Sequence, residues 1–306
     1  MLTAASLLAA APLLPGERAA LSGYVLHVVA SAADPHFDLA YDALAAYFGA
    51  RGQLESRADL ARLVAQVQAP ADSAGVVVGR PLLLLLSPGG ELAAVAERYV
   101  AYDRTSRVLS ALDADLLVLP GHRGAGIGTA LERLLIHAGR LLLAEHGADD
   151  CAAGLELGDL EPLPRVRALA SALSGEAEHA AAETDALRRI AIWGQAGYAL
   201  IPQAVFPLAL LGMAATTGAA QPMPMLPILR VGMSQQRQRA EQVSKAQLRT
   251  LAHHLYAAHA WADGEAAAQA LSLRLACIEA TPCDPVALLP LPQRITDAIP
   301  DFLCLA

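Results

Sequence analysis

Apolar and polar residues follow two different periods along this chain, and each period predicts one kind of element. Compact apolar or alternating runs bounded by turn residues predict strands at 24–30, 79–87, 91–103, 107–119, 151–157, 198–206 and 225–232. Spacings of three and four residues predict helices at 34–49, 57–68, 127–147, 165–178 and 183–196. In the first of these helices, Asp34 is expected as the N-cap, Pro35 at the first helical position and Gly49 at the end.

The order of these elements predicts the fold class. The two runs at 79–87 and 91–103 are joined by Pro88-Gly89-Gly90 and are expected to form a hairpin. Helices follow the first strand and the fourth strand. This arrangement is typical of an α/β (α+β) protein with a mixed, mostly antiparallel central sheet flanked by helices.

The pattern changes near residue 233. From Ser234 onward, polar residues become more frequent and the apolar positions take helical spacing. We therefore predict two parts, a domain at 1–233 and a helical C-terminal extension at 234–306.

Composition narrows the protein class. Hydrophobic residues make up 55% of the chain and charged residues 17%, which argues against disorder. A net charge of −8 argues against general nucleic-acid binding. Apolar runs are interrupted before the roughly 20 residues that a membrane span needs, and the apolar N-terminus lacks a basic region typical of signal peptides. The four cysteines, scattered and without CxxC pairs, suit a reducing compartment, so we expect a cytoplasmic protein that binds neither nucleic acid nor membrane.

The stretch LLVLPGHRGAGIGTALERLL (116–135) carries the candidate chemistry. An apolar strand ends at Pro120, glycines follow at 124, 126 and 128, and an amphipathic helix begins. Bare backbone amides at a helix start, with the helix dipole behind them, form a nest for phosphate oxygens, and Arg123 adds positive charge at its mouth. A tight turn that binds nothing is the alternative interpretation.

Spacing distinguishes between phosphate-binding motifs. A Walker A motif requires a GK[ST] ending that is absent here. The dinucleotide motif GxGxxG fails because Thr129 stands at its third glycine. The spacing that fits is V-x-P-x-x-R-G-x-G-I-G, which runs without a gap from Val118 to Gly128.

In this motif the chain resembles the GNAT superfamily of N-acetyltransferases. A second similarity is IWGQAGYALIP (192–202), which resembles the family's segment lYeklGF, with Gly197 and Tyr198 at the glycine and aromatic positions. The resemblance spans roughly 22–233 and does not include 234–306.

The resemblance implies an acyl-CoA-dependent N-acyltransferase, with acetyl-CoA as the expected co-substrate and no metal. The amine acceptor would be a small molecule or a peptide, attacking the thioester directly. Coenzyme A would lie along the edge of the fourth strand, over a splay toward 151–157, and against the glycine turn. The implied contacts are Leu117, Val118, Leu119, Arg123, Gly124, Ala125, Gly126, Ile127, Gly128 and Thr129.

The resemblance leaves the acid and the base open. Trp193 stands where many members carry the tyrosine that protonates the leaving thiolate, and indole is only a hydrogen-bond donor. Tyr198 is a substitute candidate. The candidate bases are Asp113, Asp115 and Glu156, for each of which a non-catalytic position is the alternative.

Two other functions stay open. Trp193 is compatible with a protein that binds acyl-CoA without turning it over. The 234–306 extension is compatible with an interaction protein or a homodimer. His253, His254 and His259 lack zinc-type spacing and are expected to be surface or packing residues.

Overall fold

The structure is a computed structural model that describes residues 2–49, 54–64, 66–69, 75–151, 153–160, 176–209, 224–231, 241–260 and 264–294. Its helices are α1 (Ala4–Ala10), α2 (Pro15–Ala20), α3 (Phe37–Phe48), α4 (Arg57–Leu63), α5 (Ile127–Leu142), α6 (Glu176–Gln195), α7 (Lys245–His259) and α8 (Gly264–Ala280). Its strands are β1 (Val25–Val29), β2 (Val67–Gln68), β3 (Val76–Gly79), β4 (Leu82–Leu86), β5 (Leu92–Asp103), β6 (Val108–Val118), β7 (Ala153–Leu160), β8 (Ala199–Leu200), β9 (Leu208–Ala209), β10 (Pro224–Val231), β11 (Gln242–Val243), β12 (Val286–Ala287) and β13 (Leu289–Pro290).

A mostly antiparallel sheet forms the centre of the protein, as the sequence predicts. Its strand order is β1-β4-β5-β6-β7-β10-β8-β13, with β3 also paired to β5. β6 and β7 run parallel to each other. The predicted hairpin is present as the antiparallel pair β4 and β5.

Two irregularities interrupt the centre of this sheet. β3 and β4 both pair with β5, and between them Arg80 and Pro81 break the ladder, as expected where proline has no N–H to donate. The β5–β6 register shifts between Arg98 and Tyr99, which leaves Asp113 as the extra residue of a bulge. Bulges bend strands and redirect side chains, and they are common beside functional sites.

Helices cover both faces of the sheet because β5 presents apolar residues in alternation. Ala94 and Ala96 pack with α1, α2 and α5 on one face. Val95 packs with α3 and α4 on the other face, and Tyr99 packs there with α7 and α8. α6 packs against β8 and β10 in a further cluster.

The C-terminal helices share a core with the sheet. Leu248 and Leu255 of α7 and Ile278 of α8 are buried in the cluster that contains Tyr99. β13 joins the sheet by pairing with β8. The domain boundary predicted near 233 lies outside the described residues, and the division into two parts stays a prediction.

Several predicted boundaries are wrong by a few residues. The first predicted helix begins at Phe37, since the carboxylate of Asp34 instead accepts a bond from the His36 backbone at 2.9 Å and closes a turn. The helix predicted to reach 68 ends at Leu63, because Val67–Gln68 forms a strand with β3. α5 ends at Leu142 and α6 begins at Glu176.

Other differences concern whole elements. The predicted strand at 198–206 shortens to two residues, Ala199–Leu200. Most of the helix predicted at 165–178 lies outside the described residues. Helices α1 and α2 had no predicted counterpart, and they pack their apolar side chains on α5. None of the described helices combines the length and the hydropathy that crossing a bilayer requires.

Candidate functional site

The glycine turn joins β6 to α5 and leaves its backbone exposed. After Val118 the chain makes one 3-10 turn, Pro120–His122. Gly124 and Gly126 each have φ of 82°, a left-handed conformation that side chains disfavour, and α5 begins at Ile127. These positive φ values are the reason the turn is rich in glycine.

The N–H groups of this turn are free to bind a ligand. The first backbone bond of α5 runs from the Ala130 N–H to the Gly126 carbonyl at 3.2 Å. Within the described part of the chain, the N–H groups of residues 124–129 donate to no protein acceptor. Unpaired amides at a helix start, backed by the helix dipole, favour an anion.

Arg123 stands beside the turn and is tied to the end of the strand. Its Nε donates to the Val118 carbonyl at 2.8 Å, and the residue is exposed. The side chain therefore holds a positive charge next to the free amides, on the side of the turn that continues β6.

β6 and β7 separate in the middle of the sheet. They pair only from Val108 opposite Ala153 to Ala111 opposite Glu156. Beyond that point β7 stays with β10, and β6 continues with β5 alone as far as Val118. The edge of β6 at 112–118 that faces β7 is thus unpaired within the described residues, and it leads directly into the glycine turn.

Two polar groups flank this parting on opposite faces of the sheet. We call the first the acidic cluster, which consists of Glu55, Arg80, Glu97, Tyr99 and Asp115. We call the second the paired network, which consists of Arg98, Glu132, Glu156, Tyr198 and Arg230.

The acidic cluster gathers three carboxyl groups around one guanidinium. Arg80 donates from Nε and Nη2 to Glu97 at 2.5 Å and from Nη2 to Glu55 at 2.8 Å. The Tyr99 hydroxyl accepts from Arg80 Nη1 at 2.8 Å and donates to Glu55 at 3.1 Å. Asp115 lies directly across from Glu97 in the β5–β6 register. One oxygen from each of the three carboxyl groups lies within 4.8 Å of the others.

Glu97 and Asp115 share a proton. Their side chains are hydrogen-bonded to each other, and a bond between two carboxyl groups needs one of them protonated. Burial raises the pKa of Glu97, whereas Arg80 and the hydrogen bond with Asp115 oppose that shift. Asp115 is half-buried, so its carboxyl group is the more accessible of the two.

Each member of the paired network forms a hydrogen bond or an ion pair with another member. The Tyr198 hydroxyl lies 3.0 Å from a carboxylate oxygen of Glu132 and 3.0 Å from one of Glu156. Arg230 donates to Glu156 through Nε at 3.1 Å and also through Nη2. Glu156 has a 1% exposed side chain and Tyr198 is fully buried. Burial, reinforced by both carboxylates, raises the pKa of Tyr198 well above its usual range.

The structure places the other predicted residues as follows. The Trp193 ring meets the Tyr198 ring edge to face at 4.8 Å, so the indole packs against the paired network. His254 is buried with Nδ1 2.7 Å from the Ser110 hydroxyl, whereas His253 is half-buried. Asp113 is the bulge residue, and its side chain lies outside the described atoms. The catalytic roles of Glu156, Asp115 and Tyr198 stay predictions.

Sequence reasoning missed most members of these two groups. Glu97, Arg98, Arg80, Glu132 and Arg230 were not candidates, although a signal was present for the first two. They stand side by side in the otherwise apolar strand LAAVAERYVAYD, where charged residues are almost never buried without a purpose or a partner. Their partners come from distant parts of the chain and carry no local signal.

No protein-family model matches the chain, and no curated protein matches it. Similar solved structures include a protein described as a phosphinothricin N-acetyltransferase, at 12% identity and TM-score 0.34, over 69% of this chain and 99% of that one. A nourseothricin acetyltransferase matches at 17% identity and TM-score 0.26, over 72% of this chain and 95% of that one. A GNAT-superfamily phosphinothricin acetyltransferase from Sinorhizobium meliloti, in complex with AcCoA, matches at 16% identity and TM-score 0.32. The match covers 69% of this chain and 89% of that one.

All three of these neighbours are described as acetyltransferases. Identities of 12 to 17% leave the chemistry of this chain to its own residues.

Proposed function

We propose that this protein is an acyl-CoA-dependent N-acyltransferase that transfers an acyl group, with acetyl the expected one, to an amine. The observation that carries the proposal is the course of β6. The strand loses its partner after Ala111 and then ends in a turn whose amides are unoccupied. A strip of backbone along the unpaired edge of β6 therefore leads from the middle of the sheet to an anion site, and at the end of this strip the Val118 carbonyl accepts from Arg123.

Coenzyme A matches that strip in chemistry. Its pyrophosphate would accept from the amides of residues 124–129, with Arg123 adding charge. Its pantetheine arm carries amides that would lie along this edge at Leu117, Val118 and Leu119, as an added strand does. The Leu119 N–H already donates to Ala93 and the Val118 carbonyl accepts from Arg123, so the arm would use the other backbone groups or displace Arg123. The thioester would then lie where β6 and β7 separate.

Asp115 is the better supported of the two base candidates. It lies in the part of β6 beyond the pairing with β7, is half-buried, and stands across from Glu97 in the β5–β6 register. Glu156 accepts from both Arg230 and Tyr198, so its lone pairs are already engaged. A general base must be within reach of the amine proton, and Glu156 is sealed whereas Asp115 is half-buried. We therefore propose Asp115 as the base and assign Glu156 to holding the paired network together.

The acid role of Tyr198 has weaker support. Its hydroxyl proton is shared between Glu132 and Glu156, and the raised pKa makes it a reluctant donor. A thiol has an ordinary pKa of about 8.5, so a leaving thiolate needs little help from an acid near neutral pH. In the proposed reaction, Tyr198 orients the carboxylates behind the thioester.

A charge placed in the turn tests this assignment. Gly126→Glu would set a carboxylate beside the pyrophosphate, and we expect coenzyme A affinity to fall by well over tenfold in titration calorimetry. Gly75→Glu is the matched control, since Gly75 also has a positive φ, of 92°, but lies at the far end of β5. Unchanged affinity in Gly126→Glu would refute the placement of the pyrophosphate.

Binding of acyl-CoA without turnover is the second candidate, and Trp193 at the usual acid position favours it. Release of free coenzyme A from acetyl-CoA over a panel of primary amines separates the two functions. Tight binding of acetyl-CoA with no release above the solution rate would establish the second candidate in place of the first.

A further inference from the structure

Arg98 is the most deeply buried charged residue where the two strands separate. The guanidinium interacts with Tyr198, Glu132 and Glu156, yet two of its three nitrogens lack a hydrogen-bond partner of good geometry within the described residues. The residue is 0% exposed. Nη2 donates to the Leu157 carbonyl at 3.4 Å. Nε and Nη1 have no hydrogen-bond partner among the described residues. Buried donors without an acceptor are rare and costly, and each one calls for an explanation.

The position of the guanidinium indicates what it can reach. Arg98 belongs to β5 and lies opposite Ala114 of β6, yet it contacts the carbonyl of Leu157 in β7. Its side chain therefore crosses over β6, where the small Ala114 side chain leaves room. Leu157 follows Glu156, the last residue of β7 that pairs with β6. The guanidinium thus lies where the two strands separate.

The charges around Arg98 select the kind of ligand. Its Nη1 is 3.8 Å from Glu132 and 3.9 Å from Glu156, and Arg230 pairs with the same two carboxylates. Two guanidinium groups and two carboxylates make the network neutral. An anionic acyl group would leave an unbalanced buried charge. A neutral carbonyl oxygen that accepts the two free N–H groups leaves the balance intact.

We propose that Arg98 donates its free N–H groups to the carbonyl oxygen of the acyl thioester, which adds a catalytic residue to the proposed acyl transfer. The amine nitrogen attacks the carbonyl carbon, and the C=O electron pair moves onto the oxygen, where Arg98 stabilises the negative charge. The pair returns as the C–S bond breaks, coenzyme A leaves as the thiolate, and the surplus N–H proton goes to Asp115. The inference rests on the proposed function.

Fixed donors aimed at a developing oxyanion are worth a factor of roughly 10² to 10³ in kcat. Arg98→Met would remove them, so we expect kcat to fall about a hundredfold or more while KM for acetyl-CoA changes by only a few-fold. Arg98→Lys keeps the charge with differently placed donors, and we expect it to recover part of the loss. Arg274→Met is the matched control, since Arg274 is equally buried but lies in α8, donating to the Pro207 carbonyl.

The vibrational frequency of the bound thioester carbonyl would not change if Arg98 had only a structural role, so it tests the proposed contact directly. Infrared spectra of acetyl-CoA labelled with carbon-13 at the thioester carbonyl would show the stretch at lower frequency when bound to the native protein than in water. With Arg98→Met the stretch would return toward its solution position, and with Arg274→Met it would stay at the native one. A native spectrum equal to that in water, or equal kcat losses in Arg98→Met and Arg274→Met, would overturn the role of Arg98.

These outcomes are separable from failure of the proposed function. If Gly126→Glu lowers coenzyme A affinity but Arg98→Met leaves the stretching frequency of the thioester carbonyl unchanged, only the role of Arg98 is refuted. If Gly126→Glu leaves affinity unchanged, the acyl-CoA site itself is refuted. Circular dichroism confirms folding of each variant, and Arg98→Lys serves as the test variant if Arg98→Met does not fold.

Discussion

Glu97 and Arg98 are neighbours on β5, and they belong to two polar groups of opposite design. Glu97 belongs to the acidic cluster, in which three carboxyl groups face one guanidinium. Arg98 belongs to the paired network, in which two carboxylates face two guanidinium groups. Alternation along the strand sends the two side chains to opposite faces of the same sheet, so a single dipeptide supplies both sides of the proposed reaction centre.

The two groups differ in their net charge and in their exposure to solvent. In the acidic cluster the Glu55 side chain is 24% exposed and Asp115 is half-buried, so protons and cations can reach it. In the paired network Glu156 is sealed and its charge is matched. An excess of negative charge with access suits binding and deprotonating an amine. A buried network with balanced charge is suited to holding side chains in a fixed geometry. The N–H groups of Arg98 that lack an acceptor are the exception within the paired network.

The largest expected effect comes from breaking the paired network. Arg230→Met would leave Glu156 buried beside Tyr198 with only the more distant guanidinium of Arg98. Removing one partner of a buried pair typically costs about 3–5 kcal/mol, and we expect a loss of that size in the free energy of unfolding, measured by urea denaturation.

An exposed ion pair provides the control for Arg230→Met. Arg188 pairs with Asp185 at 3.4 Å, and both side chains are more than half exposed. Arg188→Met should therefore cost less than about 1 kcal/mol. If the two variants lose similar stability, the contrast between sealed and exposed charge would be wrong.

A buried histidine that is hydrogen-bonded to the neutral Ser110 hydroxyl provides the next test, with a slightly smaller expected effect. Burial lowers the pKa of His254 to about 4, below its ordinary 6.5. The unfolded chain then binds more protons between these two values, so stability is full above about pH 6.5 and falls as the pH drops toward 4, by about 3 kcal/mol in all.

Urea denaturation at pH 7.5 and pH 4.5 measures this difference. His254→Gln should have a shallower loss of stability on acidification than the native protein, and His253→Gln should keep the native one, because His253 is only half-buried. An identical pH dependence in native protein and His254→Gln would show that His254 is not the titrating group.

The smallest effect in free energy is expected at the acidic cluster, where it affects rate and not stability. Asp115→Asn would remove the proposed base, and we expect kcat to fall about a hundredfold, or about 2.7 kcal/mol of barrier. Its stability should hold or rise slightly, because one of three crowded carboxyl groups is gone. Steady-state release of coenzyme A over amines measures the rate.

Asp103→Asn is the matched control for that substitution. Asp103 is also on the central sheet, but it binds Thr105 and Ser106 at the other end of β5. We expect its kcat to be that of the native protein. A base role for Asp115 would be refuted if both asparagine variants had native rates.

Local features of the fold could be predicted because their causes are local. The hairpin of β4 and β5 follows from two apolar runs joined by Pro-Gly-Gly, and α5 follows from its leucine stripe. The positive φ values of Gly124 and Gly126 follow from a turn too tight for side chains. The missed helices α1 and α2 are short, and short helices depend on tertiary packing for their stability.

The sequence by itself determined the alternating pattern that builds the sheet, the glycine turn at the end of β6 and the amphipathic helix behind it, since each depends on residues adjacent in the chain. Only the tertiary structure decided which carboxyl group is sealed and which is accessible. Glu156 is buried and paired with Arg230, which lies 74 residues away in the chain, whereas Asp115 is half-buried across from Glu97. Charge balance in a buried site depends on distances through space, which the order of residues along a chain does not encode.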